Sequence, residues 1–156
     1  MMREETKQKL YDLNLAELVA AIEEQEKNAQ YAEMTFNERL DLAVDAVYQN
    51  KYNNQVKRLL TQARLRFRDA DMVNIYYPDR ELDREKMLRL ASCQFMESHR
   101  NVIFQGFTGS GKSWLACCIG KEACKRKYRV RYVRIPDLLT LYEEAAVNKR
   151  SVSKML

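Results

Sequence analysis

Between residues 106 and 113 the chain reads Gly106-Phe107-Thr108-Gly109-Ser110-Gly111-Lys112-Ser113. Glycines at 106, 109 and 111 permit backbone conformations that a Cβ forbids. Successive N–H groups in such a loop can point inward and form a nest for an anion. A helix starting near Lys112 would add the positive end of its dipole at the same place. Lys112 supplies a mobile point charge suited to β- and γ-phosphates, and the Ser113 hydroxyl is placed to ligate Mg²⁺. The spacing Gly-x-x-x-x-Gly-Lys-Ser is that of a P-loop, or Walker A motif. An ordinary Gly-rich turn is the competing reading.

The flanks must deliver strand, loop and helix for this chemistry to work. Asn101-Val102-Ile103-Phe104-Gln105 is a short apolar run that reads as a strand buried on both faces. Trp114, Leu115, Ala116, Ile119 and Ala123 follow the loop at helical spacing. A second strand is expected over 128–135, where Val130 and Tyr132 alternate with Arg129 and Arg131. Pro136 and Asp137 then open a helix carrying Leu138, Leu139, Leu141 and Tyr142. ATP hydrolysis needs a carboxylate at the end of a further apolar strand. None follows Ile135, and the tail 149–156 does not supply one. No residue is therefore assigned as catalytic, and this chain alone is expected not to hydrolyse ATP.

Upstream the sequence is helical. Leu10, Leu13, Leu15, Leu18, Val19 and Ile22 recur at helical spacing, with Asn14 placed to divide the stretch and cap its second half. Thr35 and Glu38 form a capping box that opens a long helix. Its second half is basic: Lys57, Arg58, Arg64, Arg66 and Arg68 are candidates for phosphate contacts with DNA. A solvated helix face is the alternative. Charge is divided unevenly along the chain. Residues 1–46 hold 5 Lys/Arg against 11 Asp/Glu, a net of −6, whereas 47–156 hold 22 against 11, a net of +11. A basic body suits a polyanionic partner. Asp83 can cap a further helix over about 84–97, after a connector that begins at Asp69.

No apolar run of about 18 residues is present, and Met1 to Lys7 show no signal-peptide pattern, so a cytoplasmic location without membrane contact is expected. The four cysteines, Cys93, Cys117, Cys118 and Cys124, form no C-x-x-C pair, and His99 is the lone histidine. Zinc spacing is lacking, so Cys117, Cys118 and Cys124 read as small packing residues of one helix.

Taken in order, these features resemble the IstB-like ATP-binding proteins, AAA+ helper ATPases of insertion-sequence transposition related to the DnaC helicase loaders. The resemblance rests on Thr35–Leu40, Leu59–Leu65, Ala91–Met96, the P-loop and above all Gly120–Tyr132. Phe107 stands where the family usually has Pro. The resemblance implies an α/β fold: an N-terminal helical domain (1–70), a connector (71–83) and an incomplete P-loop AAA+ domain with a parallel sheet (84–156), truncated before the Walker B strand. In that order strands 101–105 and 128–135 are not neighbours. It implies ATP and Mg²⁺ as cofactors, held by Gly106, Phe107, Thr108, Gly109, Ser110, Gly111, Lys112, Ser113 and Trp114, with Ser113 on the metal. It implies DNA and a transposase as partners, and self-association in the full-length family. Ile75, Tyr76 and Tyr77, entering the nucleotide domain, are candidates for the base side. A helicase loader, a P-loop small-molecule kinase and a non-enzymatic DNA-binding adapter are the alternatives.

Overall fold

The computed structural model describes residues 2–78, 82–148 and 151. Its elements are helices: α1 (Glu4–Asp12), α2 (Ala16–Lys27), α3 (Phe36–Ala63), α4 (Arg84–Ala91), α5 (Gln94–Glu97), α6 (Lys112–Lys125) and α7 (Ile135–Val147), with single 3-10 turns at Ala29–Tyr31 and Met72–Asn74. Two compact units are distinguished, Met1–Gln55 and Val56–Leu156.

In the first unit α1 packs on α2. Asn14, with φ 56, ends α1 in the left-handed region that Asn tolerates. It does not cap α2, whose N-cap position is Leu15 and carries no side-chain bond. Lys7 Nζ lies 2.7 Å from Glu23 Oε1 and joins the two helices. Val19 is fully buried, and Gln25 donates Nε2–H to the Arg39 carbonyl at 2.8 Å. The capping box forms as expected: Thr35 N–H donates to Glu38 Oε2 at 2.7 Å, and Glu38 N–H donates to Thr35 Oγ1 at 3.4 Å.

The second unit is organised around α6. Its buried residues Leu115, Cys117, Cys118, Ile119, Ala123 and Cys124 face two apolar clusters. One joins Cys117, Cys118 and Cys124 to Leu59, Ala63, Leu65 and Ala70. The other joins Leu115 and Ile119 to Ile75 and Met87. The three helix cysteines are thus packing residues, and burial pushes the Cys118 thiol up to about 12. The helix expected over about 84–97 is interrupted at Cys93, which takes φ 60 and splits it into α4 and α5. Asp83 caps α4, accepting from the Glu85 and Lys86 N–H groups.

The expected α/β architecture is not found. Among the described residues there is no strand, so the second unit is helical and a parallel-sheet P-loop AAA+ domain is absent. The physical reason is pairing. A strand is defined by a neighbour, and a lone extended segment leaves its N–H and C=O groups without a ladder. No backbone hydrogen bond joins 101–105 to 128–135 among the described residues. Ile103, expected inside a sheet, is 79% exposed. Tyr132 instead donates its N–H to the Ala63 carbonyl at the end of α3, at 2.8 Å. Ile135 begins α7 rather than ending a strand, and Pro136 sits in that helix's first turn, where its missing N–H costs nothing. Asp79 and Glu81 of the connector and most of the tail 149–156 lie outside the described residues.

Candidate phosphate-binding loop and basic surface

Residues 106–111 run between the extended segment 101–105 and α6, and their backbone is that of a tight loop. Gly106, Gly109 and Gly111 take φ 154, 83 and 87. At Gly106 a Cβ would stand 3.0 Å from Ser110 Oγ, a tight contact, and φ 154 is a conformation that side chains rarely adopt. Gly111 occupies the N-cap position of α6 without a side-chain cap. The first N–H groups of a helix have no intrahelical acceptor, so those of Lys112, Ser113 and Trp114 mark an anion-attracting end.

Lys112 turns back over the loop. Its Nζ donates to the Gly106 carbonyl at 2.7 Å and to the Phe107 carbonyl at 2.5 Å, and stands 3.4 Å from Ser110 Oγ. The ammonium is therefore held inside the turn made by the loop's own backbone. Its acceptors are neutral carbonyls, which bind an ammonium less strongly than charged oxygens do. Thr108 and Ser113 are exposed, and Phe107 is 90% exposed. Trp114 points elsewhere, packing against both apolar clusters.

The connector is tied to the body of α6. Asp71 Oδ2 lies 3.0 Å from Lys121 Nζ, and Asp71 also accepts from the Val73 N–H at 3.3 Å. The Lys121 hydrogen bond, with the Val73 amide, holds the Asp71 carboxyl below the usual carboxylate range. Burial would raise Glu122, but hydrogen bonds from Lys125 and Arg126 outweigh it and its pKa is lowered. Of the base-side candidates, Ile75 and Tyr77 pack in the cluster with Leu115 and Ile119, whereas Tyr76 is 57% exposed.

The five basic candidates are all exposed, and they do not form one group. Arg58 and Arg64 line a cleft with Arg129 and Arg131. Arg66 lies over the Phe67 ring, 5.2 Å from its centroid. Arg68 borders a small pocket with Leu60, Thr61 and Leu65, and Lys57 lines none of these cavities. Sequence reasoning passed over Arg129 and Arg131, which it assigned to the polar face of a strand. It also passed over the Asp71–Lys121 pair. The cue available was the density of arginines between 126 and 134, with one acid, Asp137, nearby.

Comparison with known proteins gives the family. The sequence profile of the IstB-like ATP binding protein family matches residues 8–156. A candidate ATP-binding protein of insertion sequence IS1162 from Pseudomonas fluorescens is 33% identical over 140 residues, covering 89% of this chain and 61% of the relative. Two candidate insertion-sequence ATP-binding proteins of Sinorhizobium fredii are similar. One, y4uH, is 32% identical over 145 residues, 93% of this chain and 58% of its own length; the other, y4pL, is 30% identical over 138 residues, 88% and 56%. The chain thus spans about three fifths of the length of these curated relatives. No helix among the described residues is long and apolar enough to cross a membrane. With the profile covering nearly all of it, the chain belongs to the family of IstB-like ATP-binding proteins, which are associated with insertion sequences.

Proposed function

We propose that the chain is an ATP-binding helper of DNA transposition that holds ATP and Mg²⁺ in the loop 106–113. The observation that supports this best is the loop itself. Three positive-φ glycines stand at the required spacing, one of them where a Cβ would be crowded, and Lys112 curls over the turn at the start of a 14-residue helix. Gly106 to Gly111 would present backbone N–H groups to phosphate oxygens. Lys112 would exchange two carbonyl acceptors for charged ones, a stronger hydrogen bond. Ser113, exposed in the first turn of α6, would offer its hydroxyl to Mg²⁺, which neutralises phosphate charge. Among the connector candidates for the base side, Tyr76 is 57% exposed, while Ile75 and Tyr77 pack in an apolar cluster.

The partners in this reading are DNA, through the basic end of α3 and its surroundings, a transposase, and further copies of the protein. It places the protein in the cytoplasm, with the DNA. The reading concerns binding, not turnover.

Calorimetry with a non-hydrolysable ATP analogue and Mg²⁺ tests it. Lys112→Ala removes the one cation of the loop, and truncating one partner of a desolvated charge pair costs about 2–4 kcal/mol. That corresponds to a loss of roughly thirtyfold to several hundredfold in affinity. Equal affinity of the two proteins would refute the assignment.

A further inference from the structure

A cleft shared by α3 and the segment after α6 is lined by four arginines. Its volume is about 750 Å³. Arg58 and Arg64 stand on one side and Arg129 and Arg131 on the other, and the remaining lining residues are Leu59, Thr61, Gln62 and Val130. No carboxylate lines it. A second cavity of about 440 Å³ shares Arg64 and Arg131 and continues toward Arg134. Arg134 is already neutralised: Asp137 takes its guanidinium at 2.7 and 2.9 Å. The four cleft arginines form no ion pair among the described residues.

The walls are fixed to each other. Tyr132 N–H reaches the Ala63 carbonyl at 2.8 Å, and Arg131 Nη1 reaches the Gln62 carbonyl at 3.3 Å. Arg131 Nε is buried without a hydrogen-bond partner among the described residues. A buried, unpaired N–H on a cation is costly. Arg64 closes the helix that forms one wall. It ends α3 with φ 49, a left-handed position where glycine is the default, and where a side chain costs about 1–2 kcal/mol.

We propose that this cleft is where the chain grips duplex DNA, with Arg58 and Arg64 on one wall and Arg129 and Arg131 on the other taking phosphates of the backbone. The inference rests on the DNA-binding reading above and narrows it to a site. The cleft is far larger than a single tetrahedral anion, which favours a polymer backbone over free phosphate. Its lining holds four guanidinium groups and no aromatic side chain, which fits backbone contacts rather than base stacking. Lys57 and Arg66, equally basic, lie outside it and contribute only general attraction.

The test is fluorescence anisotropy of the 156-residue chain on a labelled duplex of arbitrary sequence, titrated with salt. Two double variants carry the same charge change at exposed positions: Arg58→Gln with Arg129→Gln in the cleft, and Lys57→Gln with Arg66→Gln outside it. Thermal melts establish that both fold. The cleft pair should lose tenfold or more in affinity and flatten the slope of log K against log salt by about 1.8, near 0.9 per lost phosphate contact. The outside pair should lose less than about threefold. Equal losses in the two pairs would overturn the cleft while leaving DNA binding intact. Wild-type protein that fails to bind duplex at low salt would overturn the DNA reading itself. Tighter binding of a single-stranded or RNA oligomer of equal length would also overturn the assignment to duplex DNA.

Discussion

Replacing Arg64 by glycine should make the second unit more stable and its grip on DNA weaker at once. Arg64 takes φ 49 immediately after the last residue of α3. A left-handed conformation costs a residue with a Cβ about 1–2 kcal/mol, and glycine is free of that cost. Glycine also gains freedom in the unfolded chain, which offsets roughly 0.4–1 kcal/mol of the gain. The Arg64 side chain is exposed and forms no ion pair among the described residues, so little else is lost on the folded side. The balance is a stabilisation of about 0.5–1 kcal/mol. For a unit of this size that is a rise of about 3–6 °C in Tm. The same change removes one guanidinium from the cleft, so the salt slope of DNA binding should fall by about 0.9. Arg64→Ala separates the two effects, since it keeps the backbone strain and loses the charge. It should match the glycine variant in DNA binding and match wild type in Tm. Scanning calorimetry and anisotropy read the two quantities independently. A Tm that falls in Arg64→Gly would show that the side chain supports the fold, and an unchanged salt slope would show that the guanidinium meets no phosphate.

Other perturbations probe the loop, the connector and the core. Gly106→Ala should abolish measurable ATP-analogue binding by calorimetry, because φ 154 and a contact of 3.0 Å to Ser110 Oγ oppose a Cβ together; retained binding would mean the loop rearranges freely. Asp71 has a folded pKa below its unfolded value, so its pairing with Lys121 stabilises the protein above about pH 4 and is lost as pH falls below that. Asp71→Asn should therefore lower Tm at pH 7 and flatten the acid limb of Tm against pH. Cys93, Cys117, Cys118 and Cys124 are buried, with Cys118 pushed up to about 12, so a thiol reagent at pH 8 should label them slowly in native protein and promptly in denaturant.

What could be read from the sequence was whatever a short stretch decides alone. The box at Thr35 and Glu38, the Asp83 cap and the proline at the start of α7 each satisfy a local demand for unpaired amides, and each forms as the residues suggest. The loop glycines belong to the same class, since φ of 83 and 87 are backbone states that their residue type announces. The sheet was misread because a strand is not local. Val102-Ile103-Phe104 has strand composition, but composition fixes neither a neighbour nor a register, and here Ile103 faces outward. The segment 128–134 has alternation suited to an edge strand, yet its backbone is anchored on the end of a helix through Tyr132.

Arg64 was unreadable for a different reason. Sequence rules place Gly or Asn just past a helix end, so an arginine there suggests continuation, not termination. The chain stops the helix at that residue regardless and keeps the charge at a conformational cost. Local rules agree with the fold nearly everywhere in a natural sequence, and the exceptions gather where something other than stability sets the residue. In this chain one of several such residues, Arg64, stands on the wall of a cleft with three more arginines and no acid, and one of those arginines carries a buried N–H without a partner among the described residues. Four guanidinium groups with no acid beside them favour a polyanion between the walls. That makes the cleft, rather than the whole basic half of α3, the place to look for DNA.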